Sequence, residues 1–140
     1  MQKSLQAVIV MIMIALATYA TNGMAEEEEP AIFSKPLYIP IKPALVVNYG
    51  GQGKLKYIKV EISLRVKDTA ASNAVRHHLP LIRDYMVSLF SRQSDEDVDT
   101  VEGKERLRAT ALAGVKTLLL EEDGEEGVLD LFFVHFVVQR

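Results

Sequence analysis

Apolar and polar residues alternate along Leu55–Val66, LKYIKVEISLRV. Ile58, Val60, Ile62, Leu64 and Val66 fall on one side, and Tyr57, Lys59, Glu61, Ser63 and Arg65 on the other. Side chains alternate across a strand with a period of two, so this stretch predicts a long amphipathic β-strand with one buried and one wetted face. Upstream, Ala44–Tyr49 reads as a short strand. The prolines at 36, 40 and 43 impose extended backbone ahead of it and donate no ladder hydrogen bonds. Gly50-Gly51-Gln52-Gly53 supplies the glycines a reversal needs, so the two strands form a hairpin. A glycine-rich loop cradles phosphate ahead of a helix N-terminus, and here a strand follows instead.

The period then changes. Ala71, Val75, Leu79, Ile82, Met86 and Leu89 recur at steps of four and three, a helical stripe that Asp68 caps. Pro80 interrupts it and predicts a kink, or two helices abutting near Leu79. Ser91-Arg92-Gln93-Ser94 breaks the pattern, and Asp95–Thr100 (DEDVDT) reads as an acidic turn. Thr100 caps a second long helix, Val101–Glu122, with Leu107, Ala111, Val115, Leu118 and Leu119 as its stripe and Glu102 and Glu105 at its positive end. Gly124 supplies a left-handed cap and Gly127 a turn. The last segment, VLDLFFVHFVVQR, is nearly continuous Val, Leu and Phe apart from Asp130 and His135, which predicts a strand buried on both faces. The fold class is α+β: a small sheet of about three strands covered by two long amphipathic helices.

Leu5–Ala20 is a different kind of hydrophobic stretch, apolar all round and placed at the start of the sequence. As a helix it spans about 24 Å at ~1.5 Å per residue, against a hydrocarbon core of roughly 30 Å. Two readings stand side by side for residues 1–25. One is a signal peptide cut near Ala20 or Ala25; the other is a retained anchor running through residues 5–24. Lys3 is the only Lys or Arg before Lys35, so the positive-inside bias leaves the N-terminus in the cytoplasm and sends the remainder outward. Glu26–Glu29 and Pro30 begin a hydrated acidic and proline-bearing linker over residues 26–37. Residues 38–140 form the exported domain.

Composition narrows the chemistry. Hydrophobic content of 49% and charged content of 25% describe a globular chain with an apolar appendage rather than a disordered one. A net charge of −3 with dispersed basic residues offers no stripe for nucleic acid. The absence of cysteine removes disulfides, thiolate metal sites and cysteine nucleophiles together. His77 and His78 are adjacent, about 100° apart on a helix and badly placed to share one metal. DEDVDT lacks the mid-loop glycine and distal glutamate of a calcium loop. His135 reads as a structural histidine in a strand. There is no nucleophile elbow, HExxH or phosphate loop. No catalytic, cofactor-binding or metal residue is assigned, and the expectation is a protein that is not an enzyme and needs no cofactor.

Several pieces in a fixed order carry a resemblance. They are Leu79-Pro80-Leu81-Ile82-Arg83, Ser91-x-Gln93-Ser94, Glu102-Gly103-Lys104-Glu105-Arg106-Leu107-Arg108 and the terminal Phe133-x-x-Phe136-Val137-Val138-Gln139. With YIPIKPALVVNY and YIKVEISLRVKD before them, the stretch from about Tyr38 to Gln139 resembles the FliL family of flagellar basal-body-associated proteins. That resemblance implies a stomatin-like periplasmic domain behind one N-terminal inner-membrane segment, self-associating in a ring around the motor stator units. It implies stator proteins of the MotA/MotB type and basal-body ring components as partners, a role in torque for swimming or swarming, and no catalytic residues. The family usually has a longer, more basic leader than the single Lys3 here, which leaves a divergent or paralogous member open, and with it a soluble periplasmic domain cleaved near Ala25. The alternative function is a periplasmic ligand-binding or sensory module without a motor role, which needs a concave apolar pocket with convergent polar groups.

Overall fold

The computed structural model describes residues 35–53 and 55–140. The stretch read as anchor or signal peptide, residues 1–25, lies outside the described residues, as does most of the acidic linker. The elements run β1 (Leu37–Tyr49), β2 (Lys56–Val66), α1 (Thr69–His77), α2 (Leu79–Ser91), α3 (Asp95–Asp99), α4 (Val101–Asp123) and β3 (Val128–Gln139). The three strands form one antiparallel sheet in the order β1-β2-β3.

The alternating strand takes the central place. Ile58, Val60, Ile62, Leu64 and Val66 are all buried, while Tyr57, Lys59 and Glu61 face water. Residues opposite one another in an antiparallel pair share a face. The inner face is therefore built in rows: Val47, Ile58 and Val138; Leu45, Val60 and Phe136; Ile39, Leu64 and Leu131. β1 is longer than the expected Ala44–Tyr49. Its register with β2 shifts between Ile41 and Leu45, so the strand continues through Lys42, Pro43 and Ala44 to reach Leu37. An edge strand needs ladder bonds on one side only, which is why Pro40 and Pro43 are tolerated here.

β3 departs from expectation. It is the opposite edge of the sheet, and only one of its faces is covered. Val128 and Leu131 are buried and Phe133, Phe136 and Val138 pack against the core, but Leu129, Phe132, Val134 and Val137 are exposed. Register shifts against β2 beside Ile62 and Val66 make Val134 and Leu129 the extra residues of two bulges, which breaks the simple alternation. An apolar run is equally consistent with two-sided burial and with one buried face beside an open one, because hydrophobicity marks what is coverable and not what is covered.

The longer helices lie over the inner face, α2 against β1 and α4 against β3, and the short α3 packs on α4. Asp68 caps α1 by accepting from the Ala71 N–H at 2.8 Å. The apolar stripe breaks where Pro80 sits in the first turn of a new helix, so α1 and α2 abut at His78. Ala71, Val75, Ile82, Met86 and Leu89 are buried as the spacing predicts, joined by Phe90. DEDVDT is not a turn: it is a one-turn helix, α3, because Ser94 and Asp97 form a reciprocal capping box and Val98 is fully buried. Thr100 then caps α4 through the Gly103 N–H at 2.9 Å, and Leu107, Ala111, Val115 and Leu119 line its buried side. Gly124 ends α4 with φ of 75°, in the left-handed region.

Candidate functional surface

The motifs that carry the resemblance resolve into joints of the fold. Arg83, at the start of α2, donates from Nη1 to the Pro43 carbonyl at 2.6 Å and ties that helix to the irregular middle of β1. Ser91 Oγ donates to the Ser88 carbonyl and Gln93 Nε2 to the Leu89 carbonyl at 2.7 Å, closing the end of α2 before Ser94 opens α3. Gly103 lies so close to α3 that a Cβ there would stand 2.6 Å from the Glu96 carbonyl oxygen and 2.7 Å from Asp97 Cα. Only a residue without a side chain lets the short helix sit over the start of α4.

Arg108 fastens α4 to β3. Its Nη1 donates to Asp130 Oδ1 at 2.7 Å and to the Leu131 carbonyl at 3.0 Å, while Nε and Nη2 bond the Glu105 carboxylate one turn earlier. The Arg108 hydrogen bonds hold the Glu105 carboxyl below its ordinary range, and Glu105 followed by Asp130 raises the guanidinium further above its own. Phe133 and Phe136 stand 5.2 Å apart between ring centroids and close on Phe90 at 5.9 and 6.3 Å. Lys104 lies 5.4 Å from the Phe136 ring centroid. The terminal motif is thus the aromatic seam between sheet and helices.

A second cluster closes the hairpin end. Asp95 accepts from Tyr49 Oη at 3.1 Å and pairs with Lys56, while Arg140 pairs with Asp99 and reaches Asp95 at 3.7 Å. Lys56 first and Tyr49 second pull the Asp95 carboxyl down; burial, then Asp95, pushes the Tyr49 phenol up. Neither aspartate shows this role in the sequence, where both fall in what reads as an acidic turn.

His77 and His78 meet edge to face with centroids 4.7 Å apart, and His78 Nε2 lies 3.0 Å from Asp123 Oδ1. Among the described residues no three His, Cys, Asp or Glu side chains converge as metal ligands. His135 is exposed on the outer sheet face opposite Glu61, not satisfied inside the strand layer. A groove of about 580 Å³ lies between α1 and the end of α4, floored by Ala71, Leu119 and Gly127 and rimmed by His77, Asp123 and Glu125. Nucleophile, base and oxyanion donors do not come together there. The outer face of the sheet offers instead a broad surface. Tyr38 and Phe132 lie 6.1 Å apart on it near the Arg65–Asp130 pair, and Val46 and Val137 are exposed on either side of Lys59 further along.

The family model described as flagellar basal body-associated protein FliL matches residues 38–139. The chain belongs to the FliL family. It is a flagellar basal-body-associated, non-enzymatic protein. The flagellar protein FliL of Aquifex aeolicus is 28% identical over 99 residues, covering 71% of this chain and 59% of that protein. The chain thus spans about three-fifths of the Aquifex relative's length. FliL of Escherichia coli K12 is 26% identical over 140 aligned residues, covering 93% of this chain and 89% of that protein; the Shigella flexneri protein matches equally. The span of the FliL match coincides with β1 through β3. Among the described residues no helix is long and apolar enough to cross a membrane.

Proposed function

We propose that this chain supports torque generation by scaffolding the stator units of the flagellar motor, proteins of the MotA/MotB type, from the periplasmic side of the inner membrane. Residues 1–25 act as a retained anchor through residues 5–24 with the N-terminus in the cytoplasm, residues 26–37 as linker and residues 38–140 as the periplasmic domain. Lateral contacts between copies build a ring, as head-to-tail interfaces do when their rotation closes, and basal-body ring components are its neighbours. The observation that carries this reading is the FliL family match across the whole described domain. The exposed outer sheet face and the free β3 edge supply surface for contacts between copies.

The test is a strain lacking the chain, complemented with it, in which swimming speed is followed as medium viscosity rises. The expected result is a loss of speed that deepens with load and is restored by the full chain, together with chemical cross-links between the domain and a stator protein. Unchanged torque at every load, with no such cross-link, overturns the reading.

A further inference from the structure

We propose that the groove between α2 and α4 docks an amphipathic, lysine- or arginine-bearing helical segment of a partner protein. This inference stands on the groove itself and does not depend on the stator reading. The groove has a volume of about 550 Å³. α2 faces it with Leu81, Asp84, Tyr85 and Arg92; α4 faces it with Leu118, Glu121 and Glu122. Both sets recur at helical spacing, so two packed helices present parallel ridges with a trough between them, the shape a third helix fills. Tyr85 lies over Gly114, where a Cβ would meet its hydroxyl at 1.9 Å, and bonds the Thr110 carbonyl at 3.1 Å, which holds the floor of the trough in place. Leu81 is 41% exposed at the rim, a leucine whose burial the isolated domain does not achieve.

Charge selects the occupant. Asp84, Glu121 and Glu122 line the groove against the single cation Arg92, and among the described residues none of the three acids takes an ion pair or a side-chain hydrogen bond. Glu121 and Glu122 also sit in the last turn of α4, which holds no basic residue. Negative charge there opposes the helix dipole, so the fold gains nothing from these acids. A cationic partner does gain from them, over an apolar floor. A second copy is the poorer match, because the chain carries a net charge of −3 and would set like charge against these acids.

The probe is a fluorescein-labelled helical peptide of Leu, Ala and Lys with one leucine face flanked by lysines, titrated with the full chain and read by anisotropy. A peptide with Glu in place of every Lys is the control. We expect the Lys peptide to bind and the Glu peptide not to, with binding weakening as salt rises. E121K/E122K should lower affinity at least tenfold, and Leu81→Ser should do so without any change of charge. The distal reversal E61K/E102K should stay within twofold of the unchanged chain. Equal losses in groove and distal reversals, or no binding of the Lys peptide, overturn the proposal. So does a drop in sedimentation mass of E121K/E122K with peptide affinity intact, which would assign the groove to a second copy.

Discussion

Leu64 and Val60 show how little freedom single positions have at the centre of this domain. Both are fully buried on β2 between rows contributed by β1 and β3. Leu64→Ala removes buried methyl groups and leaves a cavity, so urea unfolding should show a loss of about 2–5 kcal/mol; a midpoint within error of the unchanged protein would contradict the central-strand assignment. Gly103 is constrained by contact rather than by hydrophobicity. Gly103→Ala drives a methyl group into the Glu96 carbonyl and Asp97 Cα, backbone atoms that cannot step aside cheaply. A loss of about 1–3 kcal/mol is expected in the same measurement. In the sequence this requirement shows only as a glycine within Glu102-Gly103-Lys104-Glu105, part of the stretch that resembles FliL. The neighbour it makes room for, α3, reads as a turn in the sequence, and a turn gives no reason for the glycine.

Elements behave as their caps and faces dictate. The α3 region depends on ionised carboxylates: Ser94 holds Asp97 below its ordinary range, and Lys56 and Tyr49 do the same for Asp95. A carboxylate with a depressed folded pKa contributes stability that is present above its unfolded pKa and is lost as pH falls through the folded one. Thermal stability should therefore fall progressively below about pH 4, where free carboxyls begin to protonate. Asp95→Asn should be less stable than the unchanged protein at pH 7 and should flatten that acid limb. An equally steep limb in the variant would place the acid sensitivity elsewhere. On β3, the bulge at Val134 turns Leu131 and Val137, six positions apart, to opposite faces of the sheet. Leu131→Ala, fully buried, should cost about 2–5 kcal/mol, while Val137→Thr, 48% exposed, should stay within about 0.5 kcal/mol. Similar losses at both sites would mean that the outer face is covered within the single chain.

At the scale of the molecule, the domain is a sheet with helices on one side and an uncovered face on the other. Tyr38 with Phe132 near Arg65, and Val46 with Val137 beside Lys59, leave apolar surface exposed on that face. Charge introduced there, as in V46K/V137K, should leave the unfolding midpoint nearly unchanged and lower self-association of the full chain in sedimentation. Retained self-association would direct attention to the helical side. Membrane fractionation with mass determination of the mature N-terminus separates the two fates of residues 1–25. A full-length membrane species is expected, and a soluble species starting near Glu26 would show cleavage.

The sequence by itself determined the elements governed by local chemistry. The period-two pattern of β2, the capping residues Asp68 and Thr100, the break at Pro80 and the cap at Gly124 all appear where their residues placed them. Each depends on neighbours a few positions away, so a linear reading contains the whole cause. The α+β class followed, since those faces can be buried only against one another. Tertiary structure alone decided that β3 is an edge with one open face, that β1 runs past its prolines, and that Arg108 reaches Asp130 across the chain. It also set the trough between α2 and α4 and the acids left unpaired along it. Those outcomes depend on which strand lies beside which and on which face receives the helices. A run of valines and phenylalanines states that burial is favourable, but not what will do the covering.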